Sequence, residues 1–426
     1  MADSVLTYLK TRNVVADQTH PELDEYLAKN QVTVYAGFDP TGDSLHVGHL
    51  AVVIMLRRFQ KYGHRPIALV GGATAMIGDP SGRDKERTLQ TREQIEANAN
   101  AIKEQLSRFI EFVEPGVAEA HSAFMVDNYD WTHQLDLITF LRDVGKHFRL
   151  QDMIAKESVK RRLERQEGIS FTEFTYQLLQ SYDFLHLFRE YGCTLQIGGS
   201  DQWGNIVAGT DLIRGMTGKG AFGITGKLVT RSDGSKFGKS DDGKSNVWLD
   251  ANKTSPFEFY QFWLKSTDAD VMGYLRAFTD LADDELDALA DSLTTEPEKR
   301  VAHHRLAHEV TSLVHGADAA NDARAAAEAA FGGKMGDAAF DNAPTTEISA
   351  SQIDGEFTVS DAFVLAGLVK SKGEARRKSD EGALRLNDDK VTDPNAPLSR
   401  DVFDDQGRLL LRFGKKRVHV LRCRIV

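Results

Sequence analysis

Two apolar runs near the N-terminus are separated by a segment of helical periodicity. Residues 32–38 are β-branched, aromatic or small and stop at an Asp-Pro-Thr-Gly sequence, which predicts a buried strand. Apolar residues then recur at helical spacing through Lys61, and Gly63 closes the segment before a second apolar run at residues 67–70. The pattern predicts a strand–helix–strand unit with parallel strands.

Two further apolar runs, at residues 123–126 and 195–198, alternate with long segments of helical periodicity. This alternation predicts an α/β fold in which a Rossmann-like parallel sheet carries helices on both faces. Ligands of such sheets bind beyond the carboxyl ends of the strands. Because polar clusters follow these strands, we expect one composite site at that edge.

Beyond this sheet the pattern becomes purely helical and then mixed. Three segments have the clearest helical spacing: residues 256–264, 283–292 and 297–314. Near the C-terminus, Ser360 is predicted to cap one helix, Ser371 and Glu374 to form the capping box of the next, and Gly382 to end it before a strand at residues 384–386. The predicted boundaries are an α/β domain at 1–230, a helical segment at 231–330, a linker at 331–350 and a small α+β domain at 351–426.

The composition is that of a globular chain with room for several domains: 426 residues, 41% hydrophobic and 27% charged. Cys193 and Cys423 stand far apart without a CxxC or Cys/His cluster, which predicts neither a disulfide framework nor a zinc site. The N-terminus lacks the pattern of a secretory leader, and the longest apolar run, residues 51–56, is far below the roughly 20 residues of a membrane span. We therefore expect a cytoplasmic protein without a membrane partner.

The net charge of −11 argues against general affinity for nucleic acid, but the charge is unevenly distributed. From Phe357 onward there are 15 Lys and Arg against 10 Asp and Glu, a balance of +5 that leaves −16 for the rest. The chain thus combines an acidic body with a basic tail. A bias of this size suits either an ordinary solvated surface or, where local patterning supports it, an RNA-binding surface.

Residues 38–49 run from the end of the first strand into the first turn of the helix. Unpaired backbone N–H groups and the helix dipole bind anions at such a place. His46 and His49 add donors, and Gly48 lets a flat base approach the backbone, so the segment suits a nucleotide. The HxxH pair alone also fits two structural histidines, whereas a metal pair would need a third ligand.

Lys236-Phe237-Gly238-Lys239-Ser240 forms a second polar cluster in a segment with loop composition. Two loop lysines can neutralise the charge that develops as pyrophosphate leaves, although solvated lysines would look the same in isolation. Their pairing with the earlier His-Val-Gly-His sequence resembles the two signatures of class I aminoacyl-tRNA synthetases. Within that class the whole chain is similar to the bacterial tyrosyl-tRNA synthetases, through residues 35–41, 78–82, 173–183 and 196–205.

This resemblance implies activation of L-tyrosine with ATP and transfer of the tyrosine to tRNA(Tyr), with no covalent enzyme intermediate. It implies that Tyr35 and Asp183 contact the phenol of tyrosine. It also implies that the ammonium group is surrounded by Asp79, Tyr176 and Gln180, and that Gln202 approaches the carboxylate. Helical spacing puts Tyr176, Gln180 and Asp183 on one face, as expected for a pocket wall. From the residues alone, Asp183 also fits a helix surface and Tyr176 an aromatic core.

The resemblance further implies a set of ATP contacts: Gly37, Asp39, His46, Gly48, His49, Gly199, Asp201, Lys236, Lys239 and Ser240. The residues expected to stabilise the developing charge are Thr41, His46, His49, Lys236 and Lys239. Arg83 and Arg87 are expected near the pyrophosphate, together with Mg²⁺ but without a structural metal. The family also implies a homodimer, with Phe171 at the subunit interface.

The terminal domain resembles a small RNA-binding domain shared with a ribosomal protein. Its expected tRNA contacts, directed at the long variable arm, are Lys370, Lys372, Arg376, Arg377 and Arg385. Arg422 is predicted on the strand face opposite Leu421 and Cys423, and Arg424 shares the face of Arg422. The helical segment is expected to bind the anticodon.

Two other classes fit part of the pattern. A tryptophanyl-tRNA synthetase shares the architecture, but Tyr35, Asp183 and the basic tail argue against it. A synthetase-derived RNA-binding or splicing factor without catalysis would not need both signatures intact. Activity with tyrosine separates these alternatives.

Overall fold

The structure is a computed structural model that describes most of the chain. The described residues are 4–81, 90–113, 122–165, 168–232, 237–238, 246–332, 344–353, 357–387, 389–414 and 417–424. The chain forms two compact units. One comprises Met1–Asp250 with Thr267–Ala290, and the other comprises Ala251–Ser266 with Asp291–Val426.

A six-stranded sheet forms the centre of the first unit. Its strands are β1 (Val15–Gln18), β2 (Thr33–Phe38), β3 (Arg65–Val70), β4 (Phe124–Asp127), β5 (Cys193–Gly199) and β6 (Phe222–Gly226). They follow the order β1-β6-β5-β2-β3-β4, and all neighbours are parallel except β1 and β6. The predicted parallel sheet is confirmed, with β1 added as an antiparallel edge strand.

Helices occur between these strands and further along the chain. Up to residue 332 they are α1 (Val5–Thr11), α2 (Leu23–Lys29), α3 (Val47–Lys61), α4 (Arg92–Leu106), α5 (Tyr129–Thr132), α6 (Leu137–Asp143), α7 (Leu150–Ala155), α8 (Glu157–Glu164), α9 (Phe171–Tyr191), α10 (Trp203–Thr217), α11 (Pro256–Leu264), α12 (Asp268–Phe278), α13 (Asp283–Thr295), α14 (Val301–His315) and α15 (Ala317–Gly332). Helices α3, α9 and α10 contact this sheet. Helix α9 begins where Ser170 accepts a hydrogen bond from the N–H of Glu173 and ends at Gly192, whose φ is 62°. Its apolar side packs on the sheet through Phe184 and Leu187.

The order of the strands creates a crevice between β2 and β5. After β2 the chain crosses to β3 on one side, and after β5 it crosses to β6 on the other side. The connections that leave the carboxyl ends of β2 and β5 therefore run in opposite directions. Tyr35 on β2 pairs in register with Gln196 on β5, and both side chains are buried. The switch point of the sheet therefore lies where the sequence predicted the composite site.

The second unit contains a helical section and a C-terminal sheet. Helices α11, α14 and α15 pack on one another. The C-terminal elements are β7 (Thr345–Ser349), α16 (Ala350–Ile353), α17 (Val359–Leu365), α18 (Lys372–Asp380), β8 (Leu384–Leu386), β9 (Asp389–Lys390), β10 (Arg408–Phe413) and β11 (Arg417–Arg424). The strand order is β7-β11-β10-β8-β9, in which only β7 and β11 are parallel. Strand β7 falls within the range predicted as linker.

Several predicted helix ends differ from the structure. Helix α17 is capped by Thr358, which forms a capping box with Asp361, whereas Ser360 is buried and donates to the carbonyl of Pro394. The prediction of Ser360 as the cap was therefore wrong. Ser371 does cap α18, but the Glu374 carboxylate accepts from the N–H of Lys370 instead of completing a box with Ser371.

Asp280, which follows α12, joins that helix to three cations of α3. Arg57 and Arg58 each lie 3.1 Å from its carboxylate, and Lys61 also contacts it. Arg58 is only 2% exposed and donates in addition to the carbonyls of Arg276 and Thr279. Burial opposes ionisation of Asp280, but the contacts with Lys61 and Arg58 lower its pKa overall.

We predict that Asp280→Ala lowers the free energy of unfolding by about 3 kcal/mol, because Arg58 loses its carboxylate while remaining buried. Lys61→Ala is the matched control within the same cluster. Its side chain is 46% exposed, so the expected loss is at most about 1 kcal/mol. Urea titration near pH 7 measures both values.

Because its folded pKa is lowered, Asp280 stabilises the protein above the usual carboxyl pKa and loses this effect as the pH falls through the folded pKa. The gap between wild type and Asp280→Ala should therefore narrow at acid pH. Equal losses for Asp280→Ala and Lys61→Ala at neutral pH would contradict the role of the buried pair.

Candidate active site

The first signature forms the start of helix α3. His46 Nδ1 accepts a hydrogen bond from the N–H of Gly48 at 3.0 Å, and His49 Nδ1 accepts from the N–H of His46 at 3.2 Å. The two rings stack with centroids 3.9 Å apart. A neutral imidazole that accepts at Nδ1 carries its proton on Nε2, so both rings offer N–H donors beside the positive end of the helix. A Cβ at Gly48 would lie 2.8 Å from the His46 ring, which explains the glycine.

Phe237 and Gly238, the described part of the second signature, contact the first signature and α12. The Phe237 ring lies 5.1 Å from that of Tyr274 on α12. The N–H of Val247 donates to the carbonyl of Gly238 at 2.9 Å. The carbonyl of Val247 accepts from the N–H of Val47 at 3.0 Å. The two signatures are thus brought together at the start of α3.

Asp39 lies at the end of β2 and joins two predicted subsites. Its carboxylate accepts from the hydroxyl of Thr74 at 2.7 Å and from the hydroxyl of Tyr176 at 2.8 Å. Burial and then the charge of Asp39 raise the pKa of Tyr176 well above its usual value, so this hydroxyl remains a donor. The backbone turns after Asp39, where the N–H of Thr41 donates to the carbonyl of Asp39.

Asp183 lies inside helix α9 with only 1% of its side chain exposed. The Asn128 amide and the Trp131 indole each donate to it at 2.9 Å, one to each carboxylate oxygen. Burial raises the pKa of Asp183 to about 7, against the opposing effect of these two donors. Each carboxylate oxygen has a lone pair left that can accept a further hydrogen bond.

Tyr35 stands beside this carboxyl group on strand β2. Its side chain is fully buried, and burial followed by the charge of Asp183 raises the pKa of its hydroxyl. Within the described part of the chain, that hydroxyl has no hydrogen-bond partner. A buried hydroxyl without a partner is costly, and a ligand that forms a hydrogen bond with it would remove this cost. The predicted phenol pair is therefore brought together.

The sequence motifs did not identify Asn128, Trp131 or Gln196 as candidate site residues. Asn128 follows β4, so the rule that polar residues after strands form the site could have found it. Trp131 carried no such signal because it lies in the short helix α5. Gln196 is 3% exposed, and its side-chain oxygen has no partner among the described residues, which places another unsatisfied acceptor beside Tyr35 in the sheet.

The three amide and carboxylate groups predicted around the amino-acid backbone also meet. Asp79 is 8% exposed and accepts from the Gln202 amide at 2.7 Å and from the N–H of Ser81 at 2.9 Å. The Gln180 amide nitrogen lies 3.4 Å from the Gln202 side-chain oxygen, while the Gln180 side-chain oxygen is buried without a partner in the described chain. Asp79, Gln180 and Gln202 thus form one polar group.

The remaining predicted nucleotide contacts line the ends of β2 and β5. Gly37 is exposed in an otherwise largely buried strand, which leaves the backbone open to a ligand. Gly199 ends β5, where a Cβ would lie 2.5 Å from the carboxylate of Asp201. Five predicted phosphate-binding residues lie outside the described residues: Arg83, Arg87, Lys236, Lys239 and Ser240.

The predicted RNA contacts are separated into two groups in the C-terminal sheet domain. Lys372, Arg376 and Arg377 are exposed on α18, where Lys372 pairs with Asp361 and Arg376 donates to Asn395. Lys370 is exposed two residues before that helix. Arg385 lies on β8, in register with Arg412 on β10 and Lys390 on β9, so three cations form a row across the strands.

The alternation predicted for the last strand is confirmed where the structure describes it: Arg422 is exposed, and Leu421 and Cys423 are buried. The side chain of Arg424 lies outside the described residues. No cluster of three potential metal ligands occurs among the described residues, and Cys193 and Cys423 are both buried and outside any disulfide. In the same part of the chain, no helix has the length and apolar character needed to cross a membrane.

Comparisons with known proteins match both ends of this architecture. The family described as tRNA synthetases class I (W and Y) matches residues 27–332, and the tyrosine–tRNA ligase SYY-like C-terminal domain matches residues 336–421. A tyrosine–tRNA ligase of Geobacillus stearothermophilus is 48% identical across 98% of this chain and 99% of its own. Tyrosine–tRNA ligase 1 of Bacillus subtilis is 46% identical across 97% of this chain and 98% of its own.

Solved structures agree in fold. A C-terminally truncated mitochondrial tyrosyl-tRNA synthetase of Aspergillus nidulans superimposes with a TM-score of 0.67 and 32% identity, over 75% of this chain and 92% of that one. A tyrosyl-tRNA synthetase of Archaeoglobus fulgidus gives a TM-score of 0.53 at 18% identity over 75% and 99%, which is a likeness of fold alone. The full-length matches confirm the resemblance seen in the sequence motifs. The chain belongs to the class I tRNA synthetases of the tryptophan and tyrosine group and, within it, to the tyrosine–tRNA ligases.

Proposed function

We propose that this protein activates L-tyrosine with ATP to give tyrosyl-adenylate and pyrophosphate, then transfers tyrosine to the 3′-terminal ribose of tRNA(Tyr) and releases AMP. The observation that carries the choice of amino acid is the buried Asp183, held by Asn128 and Trp131 next to the unsatisfied hydroxyl of Tyr35. A phenol supplies what this pair lacks. Phenylalanine would leave the Tyr35 hydroxyl without a partner and would give Asp183 no further donor, so the pocket rejects it.

The backbone of the amino acid lies at the opposite end of this pocket. Asp79, Tyr176 and Gln180 surround the ammonium group, and Gln202 approaches the carboxylate. The unsatisfied side-chain oxygen of Gln180 supports this proposal, since an ammonium group offers the donor that it lacks. Asp79 contributes the negative charge and is held in position by Ser81 and Gln202.

ATP lies across the ends of β2 and β5. Gly37 and Gly48 leave room for the nucleoside, Asp201 binds the ribose, and His46 and His49 direct N–H donors at the phosphates. The tyrosine carboxylate attacks the α-phosphorus in line, so the protein acts by positioning and charge stabilisation. Lys236 and Lys239 of the second signature bind the phosphates, and Mg²⁺ would accompany the pyrophosphate. The described residues of that signature support this role, since Gly238 is linked through Val247 to the start of α3.

Tyrosine-dependent exchange of pyrophosphate into ATP tests this proposal. We expect exchange with tyrosine and none with tryptophan or without an amino acid. Exchange with tryptophan alone would assign the protein to the other branch of its family. Absence of exchange with every amino acid, in a protein that binds tRNA, would indicate an RNA-binding function instead.

The pKa of Asp183 predicts how tyrosine binding depends on pH. The ionised carboxyl is the acceptor, and its pKa of about 7 makes the competent fraction rise as the pH passes from 6 to 8. The apparent affinity for tyrosine should therefore increase about tenfold over this range. Calorimetry at a series of pH values measures the effect, and ATP binding, which does not involve Asp183, serves as the internal control.

Asp183→Asn keeps the shape of the side chain but removes its titration, so it should bind tyrosine weakly and with little pH dependence. Asp183→Ala should raise the KM for tyrosine sharply and leave that for ATP nearly unchanged. An unchanged KM for tyrosine in Asp183→Ala would exclude this carboxyl group from phenol recognition.

A homodimer is the assembly that we propose. Seven large apolar side chains between residues 137 and 171 are exposed: Leu137, Ile138, Leu141, Leu150, Ile154, Leu163 and Phe171. Exposed large apolar side chains are typical of an interface, and here they are concentrated in one segment of the sequence. Phe171 is 78% exposed at the start of α9, the helix that also carries Asp183. Dimerisation would therefore cover the outer end of the helix that forms the pocket.

We predict a mass of twice 47.3 kDa by light scattering at micromolar concentration. Phe171→Asp should shift the mass to that of a monomer because it places a charge within an apolar contact. Leu365→Asp is the matched control, as Leu365 is exposed but lies in the C-terminal domain. A monomeric wild type, or a dimer that tolerates Phe171→Asp, would refute this interface.

The C-terminal domain binds the long variable arm of tRNA(Tyr), and the helical section binds the anticodon. The row formed by Arg412, Arg385 and Lys390 supports the first role, because cations on neighbouring strands attract the phosphates of RNA. The exposed cations of α18 add a second group. Two buried cysteine thiols outside any disulfide suit the reducing cytoplasm, where tRNA charging takes place.

We predict that replacing Arg376 and Arg377 by alanine weakens tRNA binding about tenfold and lowers the slope of log affinity against log salt by about 1 per lost phosphate contact. Tyrosine-dependent pyrophosphate exchange should stay unchanged, since it needs no RNA. Lys29→Ala, which removes an exposed cation of α2, is the control. An identical salt slope in wild type and double variant would rule out α18 as an RNA contact.

A further inference from the structure

Lys156 lies at the junction of α7 and α8 and sends its side chain across the start of α10. A Cβ at Gly204 would lie 3.2 Å from Lys156 Cγ and 3.5 Å from its Cδ and Cε, so the glycine makes room for the lysine stem. The side chain is partly buried. Neither signature contains this lysine, and it carries no role in the reaction described above.

The ammonium group of Lys156 begins a chain of hydrogen bonds that ends at Asp79. Lys156 Nζ donates to Asn205 Oδ1 at 2.5 Å, and Asn205 Nδ2 donates to Gln202 Oε1 at 3.0 Å. Gln202 Nε2 in turn donates to Asp79 Oδ2 at 2.7 Å. Asn205 is fully buried, so its amide has no exchange with water to satisfy it otherwise.

The chemistry of lysine fixes the direction of this chain. An ammonium group can only donate, so the oxygen of the Asn205 amide must face it and the nitrogen must face Gln202. The oxygen of Gln202 then accepts from Asn205, and its nitrogen faces Asp79. With either amide reversed, two donors or two acceptors would meet in a buried place.

The charges around Lys156 favour the same arrangement. Burial lowers the pKa of Lys156, and the charges of Asp79 and Asp201 oppose that shift by favouring the ammonium form. The lysine therefore places a positive charge next to the side-chain oxygen of Asn205. Gln180 Nε2 also points at Gln202 Oε1, which reinforces the orientation of Gln202.

We propose that Lys156 is a positioning residue for tyrosine, which acts through Asn205 and Gln202 to orient the groups that receive the ammonium and carboxylate ends. The proposal rests on the proposed tyrosine site. A loss of Lys156 frees both amides to rotate, so Asp79 loses a fixed donor and Gln202 no longer directs its N–H groups at the substrate. The effect falls on tyrosine binding and spares the phosphates of ATP.

We call the hydrogen-bond chain from Lys156 through Asn205 and Gln202 to Asp79 the relay. Steady-state pyrophosphate exchange on the full-length protein tests it, with tyrosine and ATP varied separately. Lys156→Met keeps the stem and removes the donor, and it should raise the KM for tyrosine about tenfold with the KM for ATP and kcat within about twofold. Asn205→Asp keeps the acceptor for Lys156 but cannot donate to Gln202, so it should give the same result. Lys160→Met, an exposed lysine of α8, is the control and should behave like wild type.

A double-mutant cycle separates action through Gln202 from a direct contact. In a Gln202→Ala background, Lys156→Met should have little further effect on the KM for tyrosine. Additive losses, or a KM for ATP that rises as much as that for tyrosine, would overturn the relay. A normal wild type with unchanged Lys156→Met and Asn205→Asp variants would overturn the relay alone, whereas a wild type without tyrosine-dependent exchange would overturn the proposed function itself.

Discussion

A carboxyl group buried in the middle of a helix must be held by donors, and this requirement at Asp183 links the main parts of the first unit. Its two donors come from the end of β4 and from the following helix α5, while Asp183 belongs to α9 on the far side of the crevice. Helix α9 also carries Tyr176 and Gln180, so the same anchor aligns the pocket wall. The edge strand β4 and helix α9 are therefore held together by the carboxyl group to which we assign recognition of the phenol.

Several buried polar groups near Asp183 lower the stability of the fold. A pKa of about 7 for Asp183 means that the fold disfavours its ionised form, and the hydroxyl of Tyr35 and the side-chain oxygen of Gln180 are buried without partners in the described chain. Each such group costs about 1–3 kcal/mol when unsatisfied. In the proposed complex, the phenol and the ammonium group of tyrosine would supply hydrogen-bond partners to all three groups and so remove this cost.

The sequence predicted most of what periodicity and strand ends encode. The strands β2 to β5 and the two signatures follow from apolar runs and from polar residues after them. Strands β1 and β6 and helix α12 were missed, because β1 carries polar residues at the sheet edge and β6 contains two glycines. Ser360 was misplaced because Thr358 and Asp361 offer a better capping box, and Trp131 could not be found because only the tertiary fold brings it to Asp183.

The two donors on Asp183 also limit how the specificity of this pocket can be altered. An apolar residue at position 183, introduced to admit an amino acid without a phenol, would leave the Asn128 amide and the Trp131 indole facing dry protein. A redesigned enzyme for such a substrate would thus need replacements at all three positions at once. Analogues that keep an acidic or hydrogen-bonding substituent at the same ring position are the simpler extension of its substrate range.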